Sequence, residues 1–288
     1  MTNRIAESEL IINPDGSIYH LNLKPGQIAN DIITVGDPDR VDTIAQHFDK
    51  VDVTVSKREF KTVTGWMGSK RLTVISTGIG TDNIDIVFTE LDALVNIDFE
   101  TRTKKESHTK LRLYRIGTSG SLYESLDVDM ILISSMAIGL DGLMHYYNQE
   151  YSNDELKLTK LTQNALVNLP NVIPYSTTAS PELVNKFSHL GMKGITVTAT
   201  GFYGPQGRSV IAAPKSVSFL DDLAKIKLND LQVTNLEMET AGMYGMSAIL
   251  GHDAISINAI IANRIHQTFS NNPKEFVAQL IKDVLELI

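Results

Sequence analysis

Short runs of mostly apolar residues recur along the chain and are apolar on both of the faces that a strand would present. Successive side chains of a strand point to opposite faces, so such a run predicts a strand that is buried between two layers. The predicted strands are 31–36, 71–77, 111–117, 129–139, 194–201 and 253–263.

The segments between these runs have apolar residues at every third or fourth position, which is the spacing of an amphipathic helix. The predicted helices are 84–96, 154–169, 181–190, 238–252 and 273–288. Strands that alternate with helices predict an α/β fold with a mixed central β-sheet flanked by helices. No linker, repeat or low-complexity tract divides the sequence, so we expect a single domain over 1–288. The polar segment 98–110 is expected to be a solvated loop or a helix extension.

Composition excludes several classes of function. The chain of 288 residues has 26 basic and 34 acidic side chains, and this acidic balance argues against a general nucleic-acid binder. It contains 0 cysteines, which excludes disulfides, thiolate metal sites and cysteine nucleophiles. Its 7 histidines show no metal-ligand spacing, so no metal is expected.

The sequence predicts no contact with a membrane. Its longest apolar stretch, 130–140, is too short to span a bilayer, and the first ten residues lack the apolar core of a signal peptide. We therefore expect a soluble, cytoplasmic protein.

Three predicted strands end in glycine-rich turns, GDPDR at 36–40, TGIG at 77–80 and RIGTSG at 115–120. Ligands of open α/β sheets bind outside the carboxyl ends of the strands, and glycine there lets backbone N–H groups approach an anion. Arg40 and Arg115 offer forked donors that suit phosphate oxygens, and Thr118 adds a hydroxyl. Together these turns predict an anion site.

None of these turns has the spacing of a dinucleotide fingerprint or a P-loop, and the serine elbow of the α/β-hydrolases is also absent. Two further motifs each have two interpretations. NLEMET at 235–240 is either a strand end followed by a helix start, or a carboxylate that binds a diol such as ribose. GFYGPQGR at 201–208 is either a surface turn with a buried Phe202, or a site where Gln206 pairs with the amide edge of a pyrimidine.

Taken in order, the motifs resemble those of the nucleoside phosphorylase family, and among its members those of the uridine phosphorylases. The matching segments are IYHLNL (18–23), VGDPDR (35–40), SKREF (56–60), STGIG (76–80), RIGTSG (115–120), FYGPQGR (202–208), NLEMET (235–240) and IIANR (260–264). The resemblance implies reversible phosphorolysis, in which uridine and phosphate give uracil and ribose 1-phosphate. It implies no organic cofactor, since inorganic phosphate is a cosubstrate.

The resemblance also implies a role for each matching residue. Phosphate would be bound by Gly36, Arg40, Arg58, Arg115 and Thr118. Ribose would be bound by His20, Glu237, Met238 and Glu239. The base would be bound by Phe202, Gln206, Arg208, Ile261 and Ala262, with Arg264 supporting their loop. The residues expected to act in catalysis are Arg115, Gln206, Arg208 and Glu239.

His20 and Arg58 match positions that family members contribute across a subunit interface. The resemblance therefore implies a homodimer, or a hexamer built from dimers, with shared active sites, and the long segment 98–110 resembles the dimeric members. Glu59 and Ile79 match a monovalent cation site of the family, but Asn83 replaces its serine. The purine-specific members have an acid near the position of Asn263, and that acid is missing here. Conversely, METAGMYG around Thr240 resembles the purine enzymes as much as the pyrimidine ones, so a purine or broad-specificity phosphorylase is the alternative. A nucleosidase that uses water and a noncatalytic nucleoside-binding protein are more distant alternatives.

Overall fold

The computed structural model describes residues 4–288, so residues 1–3 of the expected domain lie outside the described residues. The strands of residues 4–288 are β1 Asp31–Val35, β2 Lys50–Lys57, β3 Phe60–Met67, β4 Lys70–Ser76, β5 Ile97–Asp98, β6 Thr103–Lys104, β7 Arg112–Ser121, β8 Ile131–Gly139, β9 Tyr175–Thr178, β10 Met192–Thr198, β11 Lys227–Leu228, β12 Leu231–Glu237, β13 Asp253–Asn263 and β14 Thr268–Phe269. The α-helices of the same residues are α1 Pro38–Ala45, α2 Thr81–Asn96, α3 Asn153–Ala165, α4 Pro181–Phe187, α5 Phe219–Ala224, α6 Thr240–Leu250 and α7 Pro273–Leu287. No helix within residues 4–288 has the length and apolar character needed to cross a membrane.

The central sheet is mixed, as the sequence predicts. Its order is β11-β12-β10-β8-β13-β7-β1-β4-β3-β2, with β9 on β8 and β14 on β13. β1, β4, β7 and β13 run parallel, whereas β8 is antiparallel to β13. β12 also pairs with β7 in antiparallel register, which closes a ring of five strands and brings the end of β12 beside 120–121.

The six predicted strands and five predicted helices are all present, with bounds that shift by a few residues at their ends. The sequence analysis missed the β2–β3 hairpin, because β2 (KVDVTVSK) lies at the sheet edge and is nowhere fully buried. It also missed α1, because GDPDR forms a turn and the first helical residues together. Asp37 is the N-cap of this helix and accepts a hydrogen bond from the Asp39 amide at 3.0 Å.

Helix α6 is buried on every side along its first two turns. Small residues permit this close packing: a Cβ added at Gly242 would come within 2.8 Å of Thr81 Cγ2 on α2. The helix also packs on β8, β10 and β13. The residues that precede α6 in the chain are therefore fixed relative to the centre of the sheet.

The polar segment 98–110 is only partly the solvated loop that the sequence predicts. It forms the β5–β6 hairpin, and Arg102 is buried with a φ of 57°. Its guanidinium donates to the carbonyls of Ile5 at 3.0 Å, Ala6 at 3.1 Å and Leu10. The expectation is therefore wrong for Arg102, whose charged side chain holds the amino-terminal segment against the hairpin.

Replacing Arg102 with alanine should lower the free energy of unfolding by about 3 kcal/mol, because three carbonyl groups lose a charged donor. Urea denaturation measures this change, and limited proteolysis should show cleavage within 5–10. Lys104→Ala is the matched control: this side chain is exposed in the same hairpin, and its removal should change stability by less than about 0.5 kcal/mol. Equal stability of the two variants would contradict the role of Arg102.

Candidate active site

A cavity of about 510 Å³ opens where several central strands end. Twelve of the fourteen predicted site residues line it, and His20 and Arg58 are the two that do not. The parallel strands β1, β7 and β13 end on one edge of the sheet, which brings Gly36, Thr118 and Ile261 to the same opening. The volume lies within the range of roughly 300–1,000 Å³ that is typical of small-molecule sites.

Arg115 is buried at the floor of this cavity and is held by four side chains. Its Nη2 lies 2.5 Å from Glu239 Oε2 and 3.0 Å from Glu237 Oε2. Its Nη1 donates to Asn258 Oδ1 at 3.0 Å and to Ser256 Oγ at 3.3 Å. The guanidinium is thus fixed in one orientation by groups from β12, β13 and the start of α6.

The charges of this cluster influence one another strongly. Burial alone would lower the pKa of Arg115, but the carboxylates of Glu237 and Glu239 outweigh it and raise that pKa. Burial raises the pKa of Glu239, and the neighbouring Glu237 adds to this effect, while Arg115 opposes it. Arg115 therefore stays charged, and its charge keeps two adjacent carboxylates together in the interior.

The position of Arg115 requires a glycine two residues later in β7. A Cβ added at Gly117 would collide with Arg115 Nη1 and would lie 2.9 Å from Asn258 Oδ1. Gly117 therefore leaves space for the Arg115 side chain of the same strand, rather than permitting a tight turn.

The two glutamates of NLEMET have different environments. Glu239 accepts from the Gly80 amide at 2.8 Å and from Arg115, and each oxygen retains a lone pair toward the cavity. Glu237 instead accepts from Thr198 Oγ1 at 2.7 Å and from the backbone amides of Glu239 and Thr240, so it caps the start of α6. The oxygens of Glu237 are thus engaged by protein donors, and its expected ribose contact stays a prediction.

The segment 201–208 forms one wall of the cavity. Gln206 is buried, and its Oε1 accepts from Arg208 Nη1 at 2.6 Å. The Arg208 guanidinium lies 3.9 Å from the centre of the Phe202 ring, and the ring is 51% exposed. The interpretation of a surface turn with a buried Phe202 is therefore wrong. Arg264 Nη1 donates to the Gln206 carbonyl at 2.5 Å, so it holds this segment as the resemblance implies.

Arg40 lies on α1 and also lines the cavity. Its Nη1 donates to the Ile116 carbonyl at 3.3 Å, and the side chain lines the cavity beside Gly36 and Thr118. Burial lowers the pKa of Arg40, and the nearby charge of Arg115 lowers it further. An anion at this wall would relieve the repulsion between the two arginines.

His20 and Arg58 lie together on a surface outside the cavity. Arg58 is exposed at the tip of the β2–β3 hairpin with a φ of 56°, and its guanidinium carbon is 5.9 Å from the centre of the Tyr19 ring. The Tyr19 ring meets the His20 ring edge-on at 4.7 Å, and Lys57 Nζ donates to the Tyr19 carbonyl at 2.6 Å. The structure therefore groups these two residues with each other and separates them from the cavity of their own chain.

The monovalent cation site that the resemblance implies stays a prediction. Glu59 and Ile79 are exposed, and Asn83 directs its Nδ2 toward the Ile79 carbonyl at 3.5 Å.

Asp92, His108 and His252 bring one ligand atom each within 4.8 Å of the others, and none of the three lines the cavity. His252 Nε2 lies 3.2 Å from Asp92 Oδ1, whereas the Leu111 amide donates to His252 Nδ1 at 3.3 Å. Among the described residues, His252 Nε2 is buried without a hydrogen-bond partner. The expectation that the protein binds no metal stays a prediction.

The residue analysis missed Ser256 and Asn258, which hold Arg115 from β13. A signal for them was present in the sequence. Between its polar end residues, β13 (DAISINAIIAN) is otherwise apolar, and two polar residues at positions i and i+2 of such a strand share one face. Asn263, by contrast, lies outside the cavity lining, and its side chain bonds the backbone of 265–266 and Leu126.

Comparison with known proteins gives concordant matches. Residues 31–288 match the family model of the phosphorylase superfamily. A uridine phosphorylase of Thermococcus kodakarensis is 26% identical over 294 residues, which cover 100% of this chain and 92% of that protein. A uridine phosphorylase of Haemophilus influenzae is 28% identical over 256 residues, which cover 88% of this chain and 89% of that protein.

A solved structure is also similar. The nucleoside phosphorylase of Trypanosoma brucei, whose structure is described as showing uridine phosphorylase activity, superposes with a TM-score of 0.89 at 29% sequence identity. The alignment covers 96% of this chain and 98% of that chain. The similarity thus includes the strands and helices that surround the cavity.

The Gly117→Ala substitution should displace Arg115 and weaken the binding of inorganic phosphate about 10-fold or more, because the added methyl group occupies the space of Nη1. Isothermal titration calorimetry with phosphate measures the change. Gly204→Ala is the control, since no atom lies within 4 Å of its added Cβ and this glycine is not among the residues that line the cavity. Equal affinities in the two variants would show that the Arg115 position is irrelevant to anion binding.

Proposed function

Because residues 31–288 match its family model, this chain belongs to the phosphorylase superfamily, and we propose that it catalyses the reversible phosphorolysis of uridine. The products are uracil and ribose 1-phosphate, and the enzyme is a pentosyltransferase. The single observation that carries the choice of base is the arrangement of Gln206 and Arg208. We further propose that 1–288 is one catalytic domain, since the cavity draws on strands from both halves of the chain.

The uracil edge presents an acceptor, a donor and an acceptor: O4, the N3 proton and O2. Arg208 donates to Gln206 Oε1, which fixes the side-chain amide with its oxygen beside the guanidinium. The pair then offers a donor from Arg208, an acceptor at Oε1 and a donor at Gln206 Nε2, which complements uracil. Cytosine has an amino donor and an unprotonated N3 on this edge and would meet two mismatches. Hypoxanthine, the base of inosine, presents O6 and the N1 proton but has no acceptor in the third place, so the purine phosphorylase alternative is less well supported.

The reaction requires charge of both signs to be stabilised. As the bond between C1′ of the ribose and N1 of uracil breaks, its electron pair moves to N1 and is delocalised onto O2 and O4. Donors on Arg208 and Gln206 stabilise that negative charge. A phosphate oxygen forms the new bond to C1′, and the phosphate charge stabilises the cationic sugar while this occurs.

The phosphate end of the cavity has the residues for this task. Arg40 and Thr118 offer donors to the anion, and Gly36 allows its backbone to approach the phosphate. Arg115 contributes its charge from the floor, where its own donors hold the two glutamates. Alignment of phosphate and sugar in one cavity supplies a large part of the rate, because the reaction becomes effectively unimolecular.

We propose that Glu239 binds the ribose hydroxyls and that Met238 packs against the sugar. Both Glu239 oxygens are held by the protein and still have a lone pair available, so they accept from two adjacent hydroxyls without rearranging. Ile261 and Ala262 complete the apolar surface beside the base, together with Phe202.

We propose that each site is completed by a second copy of this chain. His20 and Arg58 share one surface patch, and neither lines its own cavity. A twofold dimer would carry the patch of each subunit to the cavity of the other, so that His20 meets the ribose 5′-hydroxyl and Arg58 meets phosphate. The minimum active unit is then a dimer, either alone or within a hexamer.

Phosphate-dependent release of uracil from uridine tests the proposed function. Uracil release that requires phosphate, with uridine preferred at least 100-fold over cytidine and inosine, is the expected result. Faster cleavage of inosine would favour the purine phosphorylase. Release without phosphate would indicate a nucleosidase, and binding without cleavage would indicate a noncatalytic protein.

Arg208→Ala should lower kcat/KM for uridine about 100-fold, because the developing charge on the base loses a charged donor. The KM for phosphate should change little, since Arg40, Arg115 and Thr118 are unchanged in this variant. Steady-state kinetics of uracil release measures both values. Lys215→Ala is the control, because this exposed side chain lies outside the cavity lining. A loss of less than 3-fold in Arg208→Ala would argue against this role in leaving-group stabilisation.

Complementation tests the shared site. Arg58→Ala and Arg115→Ala subunits should each be nearly inactive, whereas mixing them under exchange conditions should restore activity. A mixed dimer has one site with both arginines intact and one site with neither. As the control, each variant is taken by itself through the same exchange conditions and should stay nearly inactive. Light scattering on the same samples gives the number of subunits. No recovery despite demonstrated exchange, or a fully active monomer, would refute the shared site.

A further inference from the structure

Glu90 lies on α2 and is 7% exposed. Its carboxylate accepts three different N–H groups from the turn at 20–21. The His20 amide lies 3.0 Å from Oε1, the Leu21 amide lies 2.8 Å from Oε2, and His20 Nδ1 lies 2.7 Å from Oε1. No motif in the sequence marks this glutamate, and it is not among the fourteen predicted site residues.

These contacts determine the chemistry of the His20 ring. A carboxylate only accepts hydrogen bonds, so the 2.7 Å contact requires the ring proton on Nδ1. In the neutral ring, Nε2 then carries the lone pair. The side chain is 28% exposed, so the ring is held from the inside and retains an accessible edge. The Tyr19 ring, edge-on at 4.7 Å, restricts its rotation.

We propose that Glu90 is a positioning residue for the reaction. It fixes the tautomer and orientation of His20, so that Nε2 accepts a hydrogen bond from the 5′-hydroxyl of the ribose bound by the partner subunit. This inference rests on the proposed function. It adds a residue that never touches the substrate and acts only through the histidine.

A purely structural role would require less of this side chain. The amides of His20 and Leu21 alone would justify a buried carboxylate, as at a capped turn. The third bond, to the ring, is the shortest of the set and engages the imidazole rather than a backbone amide. It sets the tautomer of the ring, as when a carboxylate sets the tautomer of a histidine that ligates a metal.

The same helix reaches the active site of its own chain. The Gly80 amide, at the N-cap of α2, donates to Glu239, and Glu90 follows ten residues later, about 15 Å along the axis. Helix α2 is thus a rigid spacer between the sugar site of one subunit and the histidine that serves the other.

The test compares uridine with 5′-deoxyuridine, which lacks the hydroxyl that His20 would bind. His20→Ala sets the scale and should lower kcat/KM for uridine about 10-fold or more while changing 5′-deoxyuridine less than 2-fold. Glu90→Gln should lower kcat/KM about 5-fold for uridine and less than 2-fold for 5′-deoxyuridine. The double variant should match His20→Ala, because both changes remove one interaction. Asp85→Asn, an acid on α2 that bonds Tyr147, is the control and should change neither substrate.

Equal losses on both substrates, no loss on uridine, or losses that multiply in the double variant would each overturn the role of Glu90. If Glu90→Gln does not fold, the wild-type protein decides. Nitrogen-15 NMR of labelled histidine, assigned with His20→Asn, should show the neutral His20 ring protonated on Nδ1, and protonation on Nε2 would overturn the proposal. A wild-type protein that releases no uracil would instead refute the proposed function.

Discussion

Arg115 carries a full charge into the protein interior, where an unpaired charge would be strongly destabilising. It is stable there because two carboxylates and two polar side chains surround it. Breaking such a buried pair typically costs about 3–5 kcal/mol, so β7, β13 and the junction of β12 with α6 are fixed relative to one another. Glu237 extends this constraint, because it binds the amides that begin α6 as well as the arginine.

This arrangement separates the cavity into parts with different supports. The proposed sugar end is built from the sheet and from a helix whose first two turns are buried on every side, and the Gly80 amide holds Glu239 there. The proposed base end is built from a short 3₁₀ segment, Gly204–Gln206, which Arg264 holds at the Gln206 carbonyl. A change of base specificity could therefore alter this wall while leaving the charged floor intact, since the side chains that hold Arg115 come from other segments.

The sequence predicted the parts that depend on local pattern or on a known motif. Buried strands, amphipathic helices and glycine turns are determined by neighbouring residues, and the twelve cavity residues came with the motifs. The roles of Glu237 and Phe202 could not be predicted in this way, because they depend on which groups other segments bring close. Arg102 is a further example: its partners lie more than ninety residues earlier in the chain, and nothing in 98–110 identifies the carbonyls it binds.

The number of hydrogen-bond donors that the cavity offers to a phosphate is also relevant to the assembly. Both terminal nitrogens of Arg115 are already engaged by protein acceptors, so a phosphate would gain its charge but few of its hydrogen bonds. Arg40 also lines the cavity, beside Gly36 and Thr118. Burial lowers the pKa of Arg40, and repulsion from Arg115 lowers it further. A dianion bound there would have fewer charge-assisted bonds than its oxygens can accept. Arg58 is exposed at its hairpin tip and has no salt-bridge partner within residues 4–288, so it is suited to supply the remainder from a second subunit.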